Sequence, residues 1–105
     1  MSNNYKIKSV LVLLSTYNGE KYIEEQLDSI YRQEGINLHI LIRDDGSSDS
    51  TVKKINEYAS KYDNTTVLIE NNIGCALSLN RLVKYAFTQI PHFVNYAFCY
   101  RYDVG

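Results

Sequence analysis

The feature that most constrains this chain is a regular alternation of apolar, β-favouring runs with amphipathic helical segments. The first run, residues 9–15, is almost wholly apolar, which is typical of a strand buried on both faces of a sheet. The segment that follows, residues 20–33, carries its apolar residues at helical spacing. The pattern repeats through further β-favouring runs at 38–43, 66–69 and 93–99, with helical segments between them. Four strands joined by three helices predict an α/β fold whose parallel strands are connected by right-handed crossovers.

Length and charge limit the kind of protein that this can be. The chain has 105 residues, which suits one small domain. Its net charge is −1, which argues against a nucleic-acid partner held by bulk charge. Two cysteines are too few for a disulfide framework. We therefore expect a cytoplasmic protein, either free or peripheral to the inner face of the membrane.

Polar side chains follow every predicted strand, and the carboxyl ends of parallel strands are where α/β sheets bind ligands. Residues 44–50 are predicted to form a polar loop. Strand ends are often polar simply because loops are polar, but an adjacent aspartate pair costs repulsion and adds nothing to a turn beyond what one aspartate supplies. The strand-end groups are Ser15-Thr16-Tyr17-Asn18, Asp44-Asp45-Gly46-Ser47, Asn71-Asn72 and Tyr100-Arg101-Tyr102-Asp103.

The glycines indicate how a phosphorylated ligand could be held. The five glycines form neither a G-x-G-x-x-G fingerprint nor a P-loop. A bound nucleotide would therefore need another partner for its charge, and a divalent metal held by carboxylates is the natural one.

Three sequence blocks, residues 10–23, 25–30 and 42–51, resemble family 2 glycosyltransferases of the GT-A fold. They are similar in particular to bacterial enzymes that build rhamnose-containing or related surface polysaccharides. The resemblance implies a Rossmann-like GT-A fold and covers only the N-terminal, donor-binding part of the family's domain. Residues 1–105 are therefore expected to form a single, incomplete domain that binds the donor nucleotide.

The resemblance also implies a set of substrate-binding residues. Ser15 and Tyr17 would line the base pocket of a nucleotide-diphosphate sugar. Asp45 would accept the hydrogen bond of a pyrimidine N3–H, which favours uracil or thymine over cytosine. Asp44 would either support the loop or touch the nucleoside. The full implied set is Ser15, Thr16, Tyr17, Asp44, Asp45 and Asn72.

The match weakens at the fourth strand end, where family members of this kind have Asp-Gln-Asp-Asp-x-Trp. Here Asp103 aligns with the last aspartate, the metal ligand, while Tyr100 and Tyr102 replace acids. By resemblance the cofactor would be Mg²⁺ or Mn²⁺, held more weakly than in the family because Asp103 is the single acid left.

The activity implied is transfer of a sugar from a UDP- or dTDP-sugar to a glycan or lipid-linked glycan acceptor in surface polysaccharide synthesis. An inverting transfer needs a general base, and none can be assigned here, so the chain alone is expected to be inactive. The alternative is a non-catalytic truncated nucleotide-binding or assembly module that retains the fold. Such a module is expected to self-associate through exposed apolar surface or an open sheet edge.

Overall fold

The computed structural model describes residues 8–93 and 95–102. Strands and helices alternate along this part of the chain without exception. Their order is β1 (Lys8–Tyr17), α1 (Ile23–Tyr31), β2 (Ile36–Asp45), α2 (Thr51–Lys61), β3 (Thr65–Glu70), α3 (Cys75–Gln89) and β4 (Asn95–Tyr102).

The four strands form one sheet in the order β3-β2-β1-β4, and every neighbouring pair is parallel. This confirms the predicted α/β architecture of four parallel strands and three helices. The register places Ser15 beside Arg43 on one side and beside Tyr100 on the other. Tyr17 lies beside Tyr102, so the carboxyl ends of β1, β2 and β4 meet at one edge.

The sheet is covered on both faces because successive side chains of its central strands point to opposite sides. One face packs against α1 and α2 and includes Val12, Leu14, Ile23, Leu27 and Ile55. The other packs against α3 and includes Leu11, Leu13, Leu41, Leu82 and Ala86. Apolar residues on both faces explain why β1 has a continuous rather than an alternating apolar run.

The predicted start of α1 needs correction. The helix begins at Ile23 rather than Glu20, and residues 20–22 form a turn in which the backbone N–H groups of residues 22 and 23 bond to the Gly19 carbonyl. The Glu20 carboxylate instead accepts hydrogen bonds from the backbone N–H and the hydroxyl of Ser50. It therefore ties the loop before α2 to the start of α1.

The prediction of a polar loop over 44–50 is wrong for its first two residues, since Asp44 and Asp45 are the last residues of β2. Both have backbone partners in the ladder with β3. Their carboxylates can be buried there because neighbouring groups donate hydrogen bonds to them.

Among the helices of the described residues, none has the length and apolar character needed to cross a membrane.

Candidate functional site

The strand alternation divides the predicted site residues between the two faces of the sheet. Thr16 and Asp44 point to the face covered by α1 and α2. Ser15 and Asp45 point to the face covered by α3, where each forms hydrogen bonds with other side chains. All four side chains are fully buried. The adjacent aspartates therefore lie in two separate environments and do not act as a pair.

Asp44 supports the turn that follows β2. Its Oδ1 accepts hydrogen bonds from Thr16 Oγ1 at 2.8 Å and from Ser47 Oγ at 2.6 Å. Its Oδ2 accepts the backbone N–H of Ser47 at 2.8 Å. Of the two roles proposed for Asp44, loop support is the one that these contacts favour.

Asp45 accepts five hydrogen bonds from groups of this chain. Oδ1 takes Arg43 Nη1 at 2.8 Å and the backbone N–H of Ile73 at 2.7 Å. Oδ2 takes the backbone N–H of Gly74 at 3.0 Å, Asn72 Nδ2 at 3.1 Å and the Tyr102 hydroxyl at 2.7 Å. Because Gly74 is the N-cap residue of α3, the carboxylate also lies at the positive end of that helix.

A closed ring of hydrogen bonds runs through Asp45. Tyr102 Oη is 3.0 Å from Ser15 Oγ, which is 2.5 Å from Ser78 Oγ. Arg43 Nη1 donates to Ser78 Oγ at 2.9 Å and to Asp45 at 2.8 Å. A hydroxyl has one proton and an ionised carboxylate only accepts, so the directions are fixed. Ser78 donates to Ser15, Ser15 to Tyr102, and Tyr102 to Asp45.

The Tyr102 ring fills the space between Asp45 and the end of β1. Its centroid lies 5.7 Å from that of Tyr17, with an angle of 36° between the ring planes. Tyr102 thus contacts three of the predicted site residues, namely Ser15, Tyr17 and Asp45.

Electrostatics keep this network in one protonation state. Burial opposes the charge of Asp45, but hydrogen bonds from Arg43, Ile73 and Tyr102 outweigh it and lower the pKa of the carboxyl. Burial and the nearby Asp45 carboxylate raise the pKa of Tyr102 to about 12, although the Ser15 hydrogen bond acts in the opposite direction. At neutral pH the pair is therefore a carboxylate and a neutral phenol.

Asn72, the predicted site residue after β3, is held against the turn after β2. Its Nδ2 donates to the backbone carbonyl of Asp45 at 3.0 Å as well as to the carboxylate. A Cβ at Gly46 would lie 2.8 Å from the Asn72 backbone nitrogen, and Gly46 has a φ of +78°. Glycine is needed there for both its conformation and its lack of a side chain.

A divalent metal has no ligand set in the part of the chain that the structure describes. No group of three or more His, Cys, Asp or Glu side chains converges among residues 8–93 and 95–102. The oxygens of Asp45 are engaged as described, and Glu70 is paired with Arg43 and Arg81. Asp103, the predicted metal ligand, lies outside the described residues, so its role stays a prediction.

Three residues of the network were not among the candidates, namely Arg43, Ser78 and Tyr102. Arg43 was detectable in the sequence, because a cation inside an apolar strand two residues before an aspartate can pair with it on the same face. Its side chain is 2% exposed, and it also bonds Glu70 at 2.8 Å. Ser78 carries no such signal, because its contacts depend on how distant segments pack. Tyr102 belongs to a polar strand-end group in the sequence, but its contact with Asp45 depends on that packing too.

Comparison with known families now adds to this geometry. The model of the family described as "Glycosyl transferase family 2" matches residues 11–95. The chain belongs to glycosyltransferase family 2. The match includes all six predicted substrate-binding residues and ends before Tyr102 and Asp103.

Curated relatives of the family 2 chain include bacterial glycosyltransferases. It is 41% identical over 73 residues to an uncharacterized glycosyltransferase of Haemophilus influenzae, covering 68% of this chain and 22% of that protein. It is 36% identical over 74 residues to the dTDP-rhamnosyl transferase RfbG of Shigella flexneri, covering 68% of this chain and 26% of that protein. The chain therefore spans well under a third of the length of either relative.

A solved structure of similar fold is the mannosyltransferase PcManGT from Pyrobaculum calidifontis, in complex with GDP-Man and Mn²⁺. The TM-score is 0.68 at 31% sequence identity, covering 79% of this chain and 25% of that one. The family 2 chain thus has the α/β architecture of a GT-A glycosyltransferase, as the resemblance implied.

Proposed function

We propose that this chain forms the part of a family 2 glycosyltransferase that binds the nucleoside of a UDP- or dTDP-sugar donor. The whole enzyme would transfer the sugar to a glycan or lipid-linked glycan acceptor in surface polysaccharide synthesis. The observation that carries the proposal is the placement of Asp45 Oδ2, an ionised acceptor at the carboxyl edge of the sheet that bonds Tyr102, whose ring lies against Tyr17.

The hydrogen-bonding groups around Asp45 favour one kind of base edge. Asp45 Oδ2 is 3.1 Å from the Asn72 amide nitrogen and 2.7 Å from the Tyr102 oxygen, to which Ser15 donates. Asn72 donates both of its amide protons to Asp45, one to the carbonyl and one to the carboxylate, so Ser15 is the side-chain donor near this acceptor that a base carbonyl could use. Uracil and thymine present a matching edge, an N3–H donor next to a carbonyl acceptor. Cytosine does not, because its N3 is an acceptor.

Tyr17 would supply the stacking surface for the base. Its side chain is partly buried at the end of β1, next to the ring of Tyr102. Aromatic pairs of this kind contribute about 0.5–1.5 kcal/mol beyond their buried area. The dTDP named for the Shigella relative supports a pyrimidine nucleotide, whereas the GDP-Man of the solved neighbour makes guanine the competing base.

Calorimetric titration with UDP, dTDP, CDP and GDP tests the proposal. We expect UDP or dTDP to bind more tightly than CDP and GDP. Tyr17→Ala should weaken the binding of UDP about tenfold, since stacking on an aromatic side chain is worth about 1–3 kcal/mol per base. Tyr62→Ala is the matched control, because Tyr62 follows α2 at the other end of the sheet and should leave UDP affinity unchanged.

Two outcomes would contradict the proposal. Absence of binding with every nucleotide would remove the donor-binding role. Preference for GDP would retain a donor site but reject the pyrimidine. The metal, Mg²⁺ or Mn²⁺, is proposed from the family resemblance and from the Mn²⁺ of the solved neighbour, and the titrations are therefore run both with and without MnCl₂.

Self-association is a separate proposal supported by the surface of β4 and α3. Within the described sheet β4 is an edge strand, and Phe98 and Tyr100 are 58% and 62% exposed. Leu77 and Phe87 on α3 are 58% and 60% exposed. Exposed apolar groups beside an open edge favour association. The family match does not favour the non-catalytic alternative. Self-association would be supported by a concentration-dependent dimer in sedimentation that Phe98→Ser weakens. A monomer at millimolar concentration would overturn it.

A further inference from the structure

We propose that Tyr102 is a gate of the nucleoside site, which occupies the position of the base in the closed state and must move away before a nucleotide can bind. This inference rests on the proposed donor-binding function and adds a means of regulating the same site.

The first argument is that Tyr102 makes the contacts expected of the base itself. Its hydroxyl donates to Asp45 Oδ2 at 2.7 Å, as a pyrimidine N3–H would. The same oxygen accepts from Ser15 at 3.0 Å, as a base carbonyl would. Its ring lies 5.7 Å from that of Tyr17 at an angle of 36°, next to the surface on which a base would stack.

The second argument is that the Tyr102 side chain and a nucleotide base cannot both contact the Asp45 carboxylate at the same time. The Asp45 carboxylate is fully buried, so an incoming base reaches it only if a covering group moves. Of its five donors, two are backbone N–H groups, one is the ion-paired Arg43, and one is Asn72, which also bonds the Asp45 carbonyl. Tyr102 is the remaining donor, and its strand, β4, lies at the edge of the described sheet.

When a nucleotide takes the place of Tyr102, the base replaces both the hydrogen-bond donor and the aromatic ring that Tyr102 had supplied. The apparent affinity for a nucleotide is then reduced by the fraction of molecules in which Tyr102 has moved away. Removing the Tyr102 side chain should therefore strengthen nucleotide binding. If Tyr102 only supported the fold of the site, removing its side chain would instead weaken nucleotide binding.

The test compares the affinity of the full chain for uridine monophosphate, which needs no metal, between wild type, Tyr102→Ala, Tyr102→Phe and Tyr100→Ala. Tyr100 is the matched control, an exposed tyrosine on the same strand. We expect Tyr102→Ala to bind on the order of tenfold more tightly than wild type, since one hydrogen bond to a charged group is lost from the closed state. Tyr102→Phe, which keeps the ring, should give a smaller gain, and Tyr100→Ala none.

Circular dichroism establishes that each variant is folded, and Tyr102→Phe remains informative if Tyr102→Ala is not. Equal affinity in wild type and the Tyr102 variants would overturn the gate while leaving nucleotide binding intact. Weaker binding in both Tyr102 variants would assign Tyr102 to the binding surface and also overturn the gate. Failure of every variant to bind uridine monophosphate or UDP would remove the gate together with the proposed function.

Discussion

The hydroxyl of Tyr102 donates a hydrogen bond to Oδ2 of Asp45 across 2.7 Å, although the two residues are 57 positions apart in the chain. The contact joins the carboxyl end of edge strand β4 to that of β2, which is two strands away in the sheet. It passes over β1, whose Ser15 bonds the same hydroxyl. The three strand ends are thereby held as one unit around a buried carboxylate.

Replacement of Asp45 by asparagine should destabilise the fold. Arg43 is 2% exposed and would lose its buried carboxylate, and breaking a buried ion pair by removing one partner costs about 3–5 kcal/mol. Urea denaturation measures the change. Glu70→Gln is the matched control, because Glu70 also bonds Arg43 but is 31% exposed, and it should cost about 1 kcal/mol or less. Equal losses in the two variants would contradict the burial argument.

The stability of the fold should fall in acid because of the same carboxylate. The pKa of Asp45 is lowered below its ordinary value of 3.8 by its hydrogen-bond donors, despite the opposing effect of burial. Its contribution is therefore present above pH 3.8 and is lost as the pH falls through the lower, folded-state pKa. Urea midpoints between pH 6 and pH 2.5 should decline more steeply in wild type than in Asp45→Asn. Parallel declines would exclude Asp45 as a source of the acid sensitivity.

Alanine at Gly46 should be more harmful than alanine at Gly35. Both glycines have positive φ, at +78° and +76°, so each substitution carries a conformational penalty of about 1 kcal/mol. At Gly35 nothing lies within 4 Å of the added Cβ, whereas at Gly46 the Asn72 backbone nitrogen would lie at 2.8 Å. Overpacking of this kind adds about 1–3 kcal/mol. Thermal unfolding of the two variants gives the comparison, and a similar loss in both would show that Asn72 yields without cost.

Thr16→Val should lower stability without changing nucleotide affinity. The substitution keeps the shape of the side chain but removes the 2.8 Å donor to Asp44, and a buried acceptor that loses a partner costs about 1–3 kcal/mol. Ser15→Ala, one residue earlier, removes the donor to Tyr102 and should alter the affinity for UDP. Denaturation measures the stability of each variant and calorimetry its UDP affinity, so together they show which face of the sheet affects stability and which affects binding. A change in UDP affinity with Thr16→Val would return Thr16 to the binding surface.

The sequence predicted the succession of strands and helices along the chain and the parallel arrangement of the strands. It could do so because the apolar run of β1 and the helical spacing of α1 are local patterns. The GT-A resemblance predicted the ligand-binding edge. The faces of the candidate residues are not part of that prediction, because the predicted first strand ends at Ser15 and the structure extends β1 through Thr16 to Tyr17.

Two parts of the site could not be predicted. Asp44 and Asp45 were assigned to a loop, because adjacent acids are rare in a buried strand and their compensating donors come from elsewhere in the fold. The contact of Tyr102 with Asp45 depends on β4 lying beside β1 in the observed register. Neither the strand order nor this register is encoded in a local pattern.

The opposed orientation of Asp44 and Asp45 has a consequence for how such a site can diverge. The Asp44 carboxylate holds the turn after β2, whereas the Asp45 carboxylate lies on the opposite face of the sheet, in the network with Arg43 and Tyr102. If Asp45 binds the donor as proposed, substitutions around it would change ligand preference without disturbing the contacts of Thr16 and Ser47 that anchor the turn.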